Sequence, residues 1–209
     1  GDNGNSKELP GDYILKDVNG DGVVNDLDKT PLFWSGSPLI HYGFNVEASW
    51  KNFDFYALFQ GSALYTVQFD EVYAKMLCFK GGNTPEYFYD RWHLSDPYDA
   101  NSEWIPGEWP AIRLEQDMGS FYTRDSQIWR KNASYLRLKT IEIGYTFSPR
   151  LMHKLGIGSL RIYANGNNLF TVCDPFVKAF DPEKIEGDYS AGLNYPLNKS
   201  FNFGLTLNF

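Results

Sequence analysis

Five segments of this chain alternate apolar and polar residues with period two. In residues 39–50, Ile40, Tyr42, Phe44, Val46, Ala48 and Trp50 fall on one side. His41, Gly43, Asn45, Glu47 and Ser49 fall on the other. Successive side chains of a strand point to opposite faces, so the pattern predicts strands with one greasy and one wet face. After Lys51-Asn52 the chain resumes over 53–65 as Phe53-Asp54-Phe55-Tyr56-Ala57-Leu58-Phe59-Gln60. A two-residue break of this kind predicts a tight hairpin. Residues 135–147 set Ile141, Ile143, Tyr145 and Phe147 against Thr140, Glu142, Gly144 and Thr146. Residues 159–170 set Leu160, Ile162 and Ala164 against Arg161, Tyr163 and Asn165. The chain closes on Phe201, Phe203, Leu205, Leu207 and Phe209, interleaved with Asn202, Gly204, Thr206 and Asn208.

The connections run short, long, short, long: 51–52, 66–133, 148–158 and 171–198. Transmembrane barrels show this rhythm, with tight turns on one side of the membrane and long loops on the other. A soluble antiparallel sandwich also alternates, but its strands are usually shorter and its loops less lopsided. The preferred reading is therefore all-β, an antiparallel transmembrane β-barrel. The alternative is a soluble secreted β-sandwich that binds carbohydrate and carries a structural calcium. Five strands cannot close a barrel. The barrel reading thus expects the rest of the wall upstream of Gly1 or from another chain. The opening Gly1-Asp2-Asn3-Gly4-Asn5 has no Met and no signal peptide, which suits a piece of a longer precursor.

Composition narrows the function classes. Nineteen Lys+Arg against 26 Asp+Glu leave a net charge of -7, so a nucleic-acid partner is not expected. No apolar run approaches the roughly 18 residues of a spanning helix, whereas a barrel strand needs only about 9–11 alternating residues. Aromatics make up 17% of the chain. Two cysteines, Cys78 and Cys173, cannot build a disulfide framework; one bridge or two free thiols both remain open.

Several motifs, in order, resemble the late part of SusC/RagA-type TonB-dependent outer-membrane transporters. They are Lys16-Asp17-Val18-Asn19-Gly20-Asp21-Gly22 with Asp26-Leu27-Asp28-Lys29-Thr30, then Tyr42-Gly43-Phe44-Asn45, and Phe53-Asp54 through Phe59-Gln60-Gly61. Ser134-Tyr135-Leu136-Arg137-Leu138-Lys139 with Ile143-Gly144-Tyr145-Thr146 is the most specific. Leu160-Arg161-Ile162-Tyr163, Asn167-Asn168-Leu169-Phe170, Phe180-Asp181-Pro182-Glu183 and the terminal Phe203 to Phe209 complete the set. The resemblance implies the last five strands of a 22-stranded barrel in a Gram-negative outer membrane. It implies import of a glycan, oligosaccharide or peptide with a SusD-like lipoprotein lid. Energy would come from TonB through an N-terminal part that lies outside this chain. It implies no catalytic residue. It also sets the orientation: residue 209 in the periplasm, and 1–38, 66–133 and 171–198 outside, both cysteines included. Residues 39–209 are then barrel strands with their loops, in contact with outer-membrane lipid. Trp50, Phe53, Phe147 and Phe209 would share the periplasmic headgroup level, where aromatic girdles sit.

Two candidate sites stand out. Asp17-x-Asn19-x-Asp21-Gly22-x-x-Asn25-x-x-Asp28 follows the calcium-loop spacing, with oxygens at positions 1, 3, 5, 9 and 12 and glycine at 6. Val23 would add its carbonyl from position 7. The expected ligand is a structural Ca²⁺ that braces an outer loop. Asp at position 12 is shorter than the usual Glu, and the flanks lack helical character, so a pair of solvated turns is the competing account. A dockerin would need a second copy, and none follows. In the loop 66–133, Trp92, Trp104, Trp109 and Tyr98 are candidate substrate contacts, because exposed rings stack on sugars or grip peptide side chains. Packing of the loop against itself is the competing account for each. Acids in that loop do not make a glycosidase, which needs two carboxylates on a rigid frame. His41, His93 and His153 show no metal-ligand spacing.

Overall fold

The computed structural model describes residues 10–69, 86–112, 127–184 and 195–209. Two compact units partition the chain, residues 1–32 with 70–126 and residues 33–69 with 127–209.

The second unit carries the five expected strands: β1 (Ile40–Trp50), β2 (Phe53–Ala63), β7 (Tyr135–Thr146), β8 (Ser159–Val172) and β9 (Ser200–Asn208). They form one sheet in the order β1-β2-β7-β8-β9, every pair antiparallel. The sheet is open, and among the described residues neither β1 nor β9 is paired along its outer edge.

Register converts the sequence alternation into two faces. Trp50, Phe53, Tyr145, Ile162 and Leu205 lie opposite one another in a single cross-strand row. The next row is Ala48, Phe55, Ile143, Ala164 and Phe203. This apolar face stays open: Phe203 is 86% exposed and Leu205 63%, with Phe44, Ile143, Ile162 and Leu207 also exposed. A sandwich would have sealed these side chains under a second sheet. Apolar patches of this extent mark a surface that meets something other than water.

Rings contribute pairwise along this face. Phe44 stacks on Phe59 with centroids 4.8 Å apart, and Tyr145 meets both Phe53 (4.8 Å) and Phe147 (5.1 Å). The Lys51 ammonium sits 4.5 Å over the Trp50 ring. The Tyr42 hydroxyl donates to the Tyr135 carbonyl at 2.7 Å, with its ring lying over Gly61. A side chain at Gly61 would overlap both the Tyr42 ring and that carbonyl, so the position requires glycine.

The short connections sit at one end. Lys51 takes a left-handed φ of 55° in the β1–β2 turn. Residues 148–158, expected as a turn, contain a short helix, α1 (Pro149–Lys154), with proline at its first turn and Met152 buried. Trp50, Phe53 and Phe147 gather at this end, and Gly158 donates to the Asn208 carbonyl next to Phe209. The four rings proposed as a girdle therefore all lie at the end of the sheet that carries the short turns.

The long connections hold more structure than the sequence reading expected. In the second unit, β3 (Thr66–Gln68) pairs with β6 (Arg130–Asn132) beyond the main sheet. The segment after β8 folds as α2 (Pro175–Lys178) and a 3-10 turn, Pro182–Lys184. Asp174 caps α2 by accepting from the Phe176 amide at 2.8 Å. Phe69, Phe176 and Phe180 pack as a trio with centroids 4.9–5.4 Å apart. In the first unit, β4 (His93–Leu94) pairs with β5 (Trp104–Ile105) as a small hairpin.

Candidate functional site on the polar face

The polar face of the sheet is organised around two arginines. Near the short turns, Arg161 of β8 reaches across β7 to Asp54 of β2, and also donates to Glu142 at 2.8 Å. Gly144 lies between them, and a Cβ there would collide with the Arg161 guanidinium and the Asp54 carboxylate. The sequence spaces these groups far apart; the missing side chain at Gly144 lets them meet. From Glu142 the hydrogen bonds continue to Asn165 (3.3 Å) and from there to Asn202 on the edge strand (2.9 Å). Arg161 also lies 5.0 Å over the Tyr163 ring, which in turn covers Gly204.

At the other end the alternation slips. Leu138 pairs with Phe59 while Thr140 pairs with Leu58, so Lys139 is an extra residue in β7. On β8 the matching irregularity falls at Asn168, with φ 54°. A bulge of this kind reverses which residues face which side. It turns Arg137 to the polar face, where three acceptors meet it. Arg137 donates to Thr171 Oγ1 at 2.8 Å, to Asp181 at 2.5 Å and to Glu183 at 2.7 Å. Lys139 closes the group at 2.7 Å from Glu183. The Arg137 and Asp181 side chains are only 4% and 5% exposed. Asp181 holds a left-handed φ of 63°, and the neighbouring Pro182 carbonyl accepts from the buried Tyr65 hydroxyl at 3.0 Å. Burial holds the Tyr65 phenol above its ordinary range. Burial likewise raises the half-buried Cys173 thiol, against the pull of Lys178. Cys78 lies outside the described residues.

In the sequence, Arg137, Lys139, Asp181 and Glu183 stand only as parts of the motifs that carry the family resemblance, with no role of their own. Their available signal was the charged pair Arg137 and Lys139, flanking Leu138 near the start of the strand. The bulge that aims Arg137 shows only as a change of phase in the alternation, from Leu136 and Leu138 to Thr140 and Glu142.

The calcium-spaced loop closes on itself. Asp17 accepts from the Gly20 and Gly22 amides, both at 2.7 Å, and Asp28 from the Val18 and Asn25 amides, both at 2.8 Å. Asn19 accepts from Asp21, Asp21 from Val23, and Asn25 from Leu27. Gly20 and Gly22 take φ of 78° and 84°, as the tight path requires. These amide bonds, that of Asn25 foremost, hold the Asp28 carboxyl below the usual carboxylate range. The oxygen types suit a hard cation. Among the described residues, however, no group of three or more His, Cys, Asp or Glu side chains gathers as metal ligands do.

The four aromatic candidates part company. Trp109 is buried, 6% exposed, and packs against Phe88 at 5.1 Å. Its carbonyl accepts from the Trp92 amide at 2.8 Å. Trp92 and Trp104 are half-buried, Trp104 sitting opposite Leu94 in the β4–β5 hairpin. Tyr98 stands alone at the hairpin tip, 98% exposed, in a turn stiffened by Asp96 and Asp99 accepting from the Tyr98 and Asn101 amides. Gly11 fits against this unit with φ 87°, its carbonyl accepting from Ala111. A Cβ at Gly11 would lie 2.7 Å from Trp92.

No family model matches the chain. It is 27% identical over 208 residues to TonB-dependent receptor P3 of Formosa agariphila, covering 96% of this chain and 19% of that protein. It is 28% identical over 214 residues to TonB-dependent receptor P26 of the same organism, covering 97% of this chain and 20% of that one. Among solved structures it resembles a chain of the RagAB peptide importer in its open-open state, with TM-score 0.63, 24% identity, and 94% of this chain against 20% of that one. The closed-closed state of the same importer matches with TM-score 0.62. The open five-stranded sheet and its two chemically opposed faces agree with these likenesses: this chain is similar to the TonB-dependent receptors it matches and spans about one fifth of their length.

Proposed function

We propose that this chain is the closing part of the barrel wall of an outer-membrane importer for a large nutrient, a glycan or a peptide. A SusD-like lipoprotein would deliver the cargo from outside, and TonB would supply the energy through the upstream part of the protein. The observation that carries this reading is the open apolar face built from Phe201, Phe203, Leu205, Ile162 and Ile143, backed by a polar face. Such a sheet needs hydrocarbon on one side and water on the other. The likeness to RagAB, a peptide importer, supports peptide as a cargo class beside glycan. In this scheme Tyr98, with the exposed parts of Trp92 and Trp104, offers the ring surface for cargo or lid.

Single cysteines placed by Phe203→Cys and Asn202→Cys in the full-length protein test the membrane part. A fluorophore at residue 203 should be quenched by a lipid-dissolved quencher, and one at 202 by a water-soluble one. Equal quenching by the water-soluble agent at both positions overturns it. Deleting the gene should abolish TonB-dependent growth on the cargo, and the full-length protein should co-purify with a lipoprotein.

The loop 17–28 would hold Ca²⁺ through Asp17, Asn19, Asp21, Asn25, Asp28 and the Val23 carbonyl. Its supporting feature is the spacing, together with carboxylate oxygens that keep further lone pairs beyond their amide bonds. Calorimetric titration with Ca²⁺ should show one site that Asp17→Asn removes.

A further inference from the structure

We infer that Arg137 is the anchor of a strap: it pins the two legs that follow β8, residues 173–184 and 195–199, to the sheet and makes those legs a fixed rim rather than a moving gate. The inference starts from Asp181. One of its carboxylate oxygens, Oδ1, accepts from Arg137 at 2.5 Å and from the Glu183 amide at 3.1 Å; the other, Oδ2, accepts from the Leu197 amide at 2.7 Å. Residues on the outgoing and the returning leg are therefore tied to one carboxylate, and that carboxylate is tied to β7.

The charges balance across the group, Arg137 and Lys139 against Asp181 and Glu183, and four contacts of 2.8 Å or less join Arg137 and Lys139 to their partners. A guanidinium offers donors in a fixed fork, so one side chain can hold Thr171, Asp181 and Glu183 in a single arrangement. Lysine, a point charge, cannot span the three. The backbone agrees: Asp181 is kept at φ 63°, a conformation that a non-glycine residue holds only when its surroundings impose it. Tyr65 supplies that constraint from the other side by donating to Pro182. The strap's own Phe176 and Phe180 pack on Phe69, and its Val177 is buried, which leaves little room for a second packing. The strap follows from this chain's own contacts. Its meaning as the rim of an outer mouth rests on the importer reading.

The test uses the full-length protein in its membrane, in a Cys78→Ser background, with two readouts inside the strap. One is the rate of thiol labelling at Cys173, which is half-buried beside Thr171 and Lys178. The other is amide exchange, by mass spectrometry, in peptides containing Glu183 and Leu197. Arg137→Met should accelerate both at least tenfold, and Arg137→Lys should not restore them. Glu183→Gln, a milder change at a partly exposed side chain, should accelerate both severalfold. If Arg137→Met does not yield a folded barrel, Glu183→Gln decides. Wild-type rates at both readouts in a folded variant overturn the strap. Faster rates with cargo uptake unchanged support the strap while counting against a role for the rim in import.

Discussion

Two arginines project from the same face of the same sheet, each facing two carboxylates, and they sit in different physical worlds. Arg137 and Asp181 are almost wholly withdrawn from solvent, whereas the Arg161 side chain is 30% exposed and that of Asp54 39%. Coulomb attraction is weakly opposed by water in the first site and strongly screened in the second. Topology differs too. Arg161 braces three neighbouring strands that backbone ladders already hold together. Arg137 joins a strand to a segment whose described residues form no ladder of their own. The same ion pair is thus dispensable where the backbone does the holding and decisive where the side chains must.

Arg137→Met leaves two carboxylates with one cation in a dry site, and should cost about 3–5 kcal/mol, read as a lowered midpoint in denaturant unfolding of the full-length barrel. Arg161→Met should cost about 1 kcal/mol or less by the same measurement. The Arg161 loss should shrink further in high salt, and the Arg137 loss should not. Equal costs at the two sites would remove the distinction between them. Gly144→Ala sharpens it: the methyl pushes the flexible ends of Arg161 and Asp54 apart, at roughly 0.5 kcal/mol, while leaving the strand pairing in place.

Asp28 extends the series to an exposed carboxylate held by amides. Its folded-state value is depressed, so its contribution is present above the ordinary carboxylate pKa of about 3.9 and is lost as pH falls through the lower folded value. Amide exchange at Val18 and Asn25 should be slow at neutral pH and should rise to free-loop rates only in that acid range. Protection lost already well above it would show that other groups hold the loop.

Much of this was legible in the residues. Each of the five long strands begins and ends within two residues of its alternating segment, because a strand's two faces are written in adjacent positions. The girdle rings were legible for the same reason, as they sit at strand ends beside short turns. The aromatic candidates were less so. Trp109 and Tyr98 look alike in sequence, yet one is buried against Phe88 and the other stands fully in solvent. The small strands β3 to β6 went unread because two- and three-residue strands carry no usable period.

The alternation by itself determined the strands, their two faces and the apolar surface that, among the described residues, no second sheet covers, since period two is a local property of the backbone. Only the tertiary structure decided where the charges act. Arg137 stands 44 residues from Asp181, and Arg161 stands 107 from Asp54. One bulge at Lys139 and one bare glycine at Gly144 bring each pair together. Register and close approach are set by the neighbouring strand, and a reading along one chain direction cannot contain them.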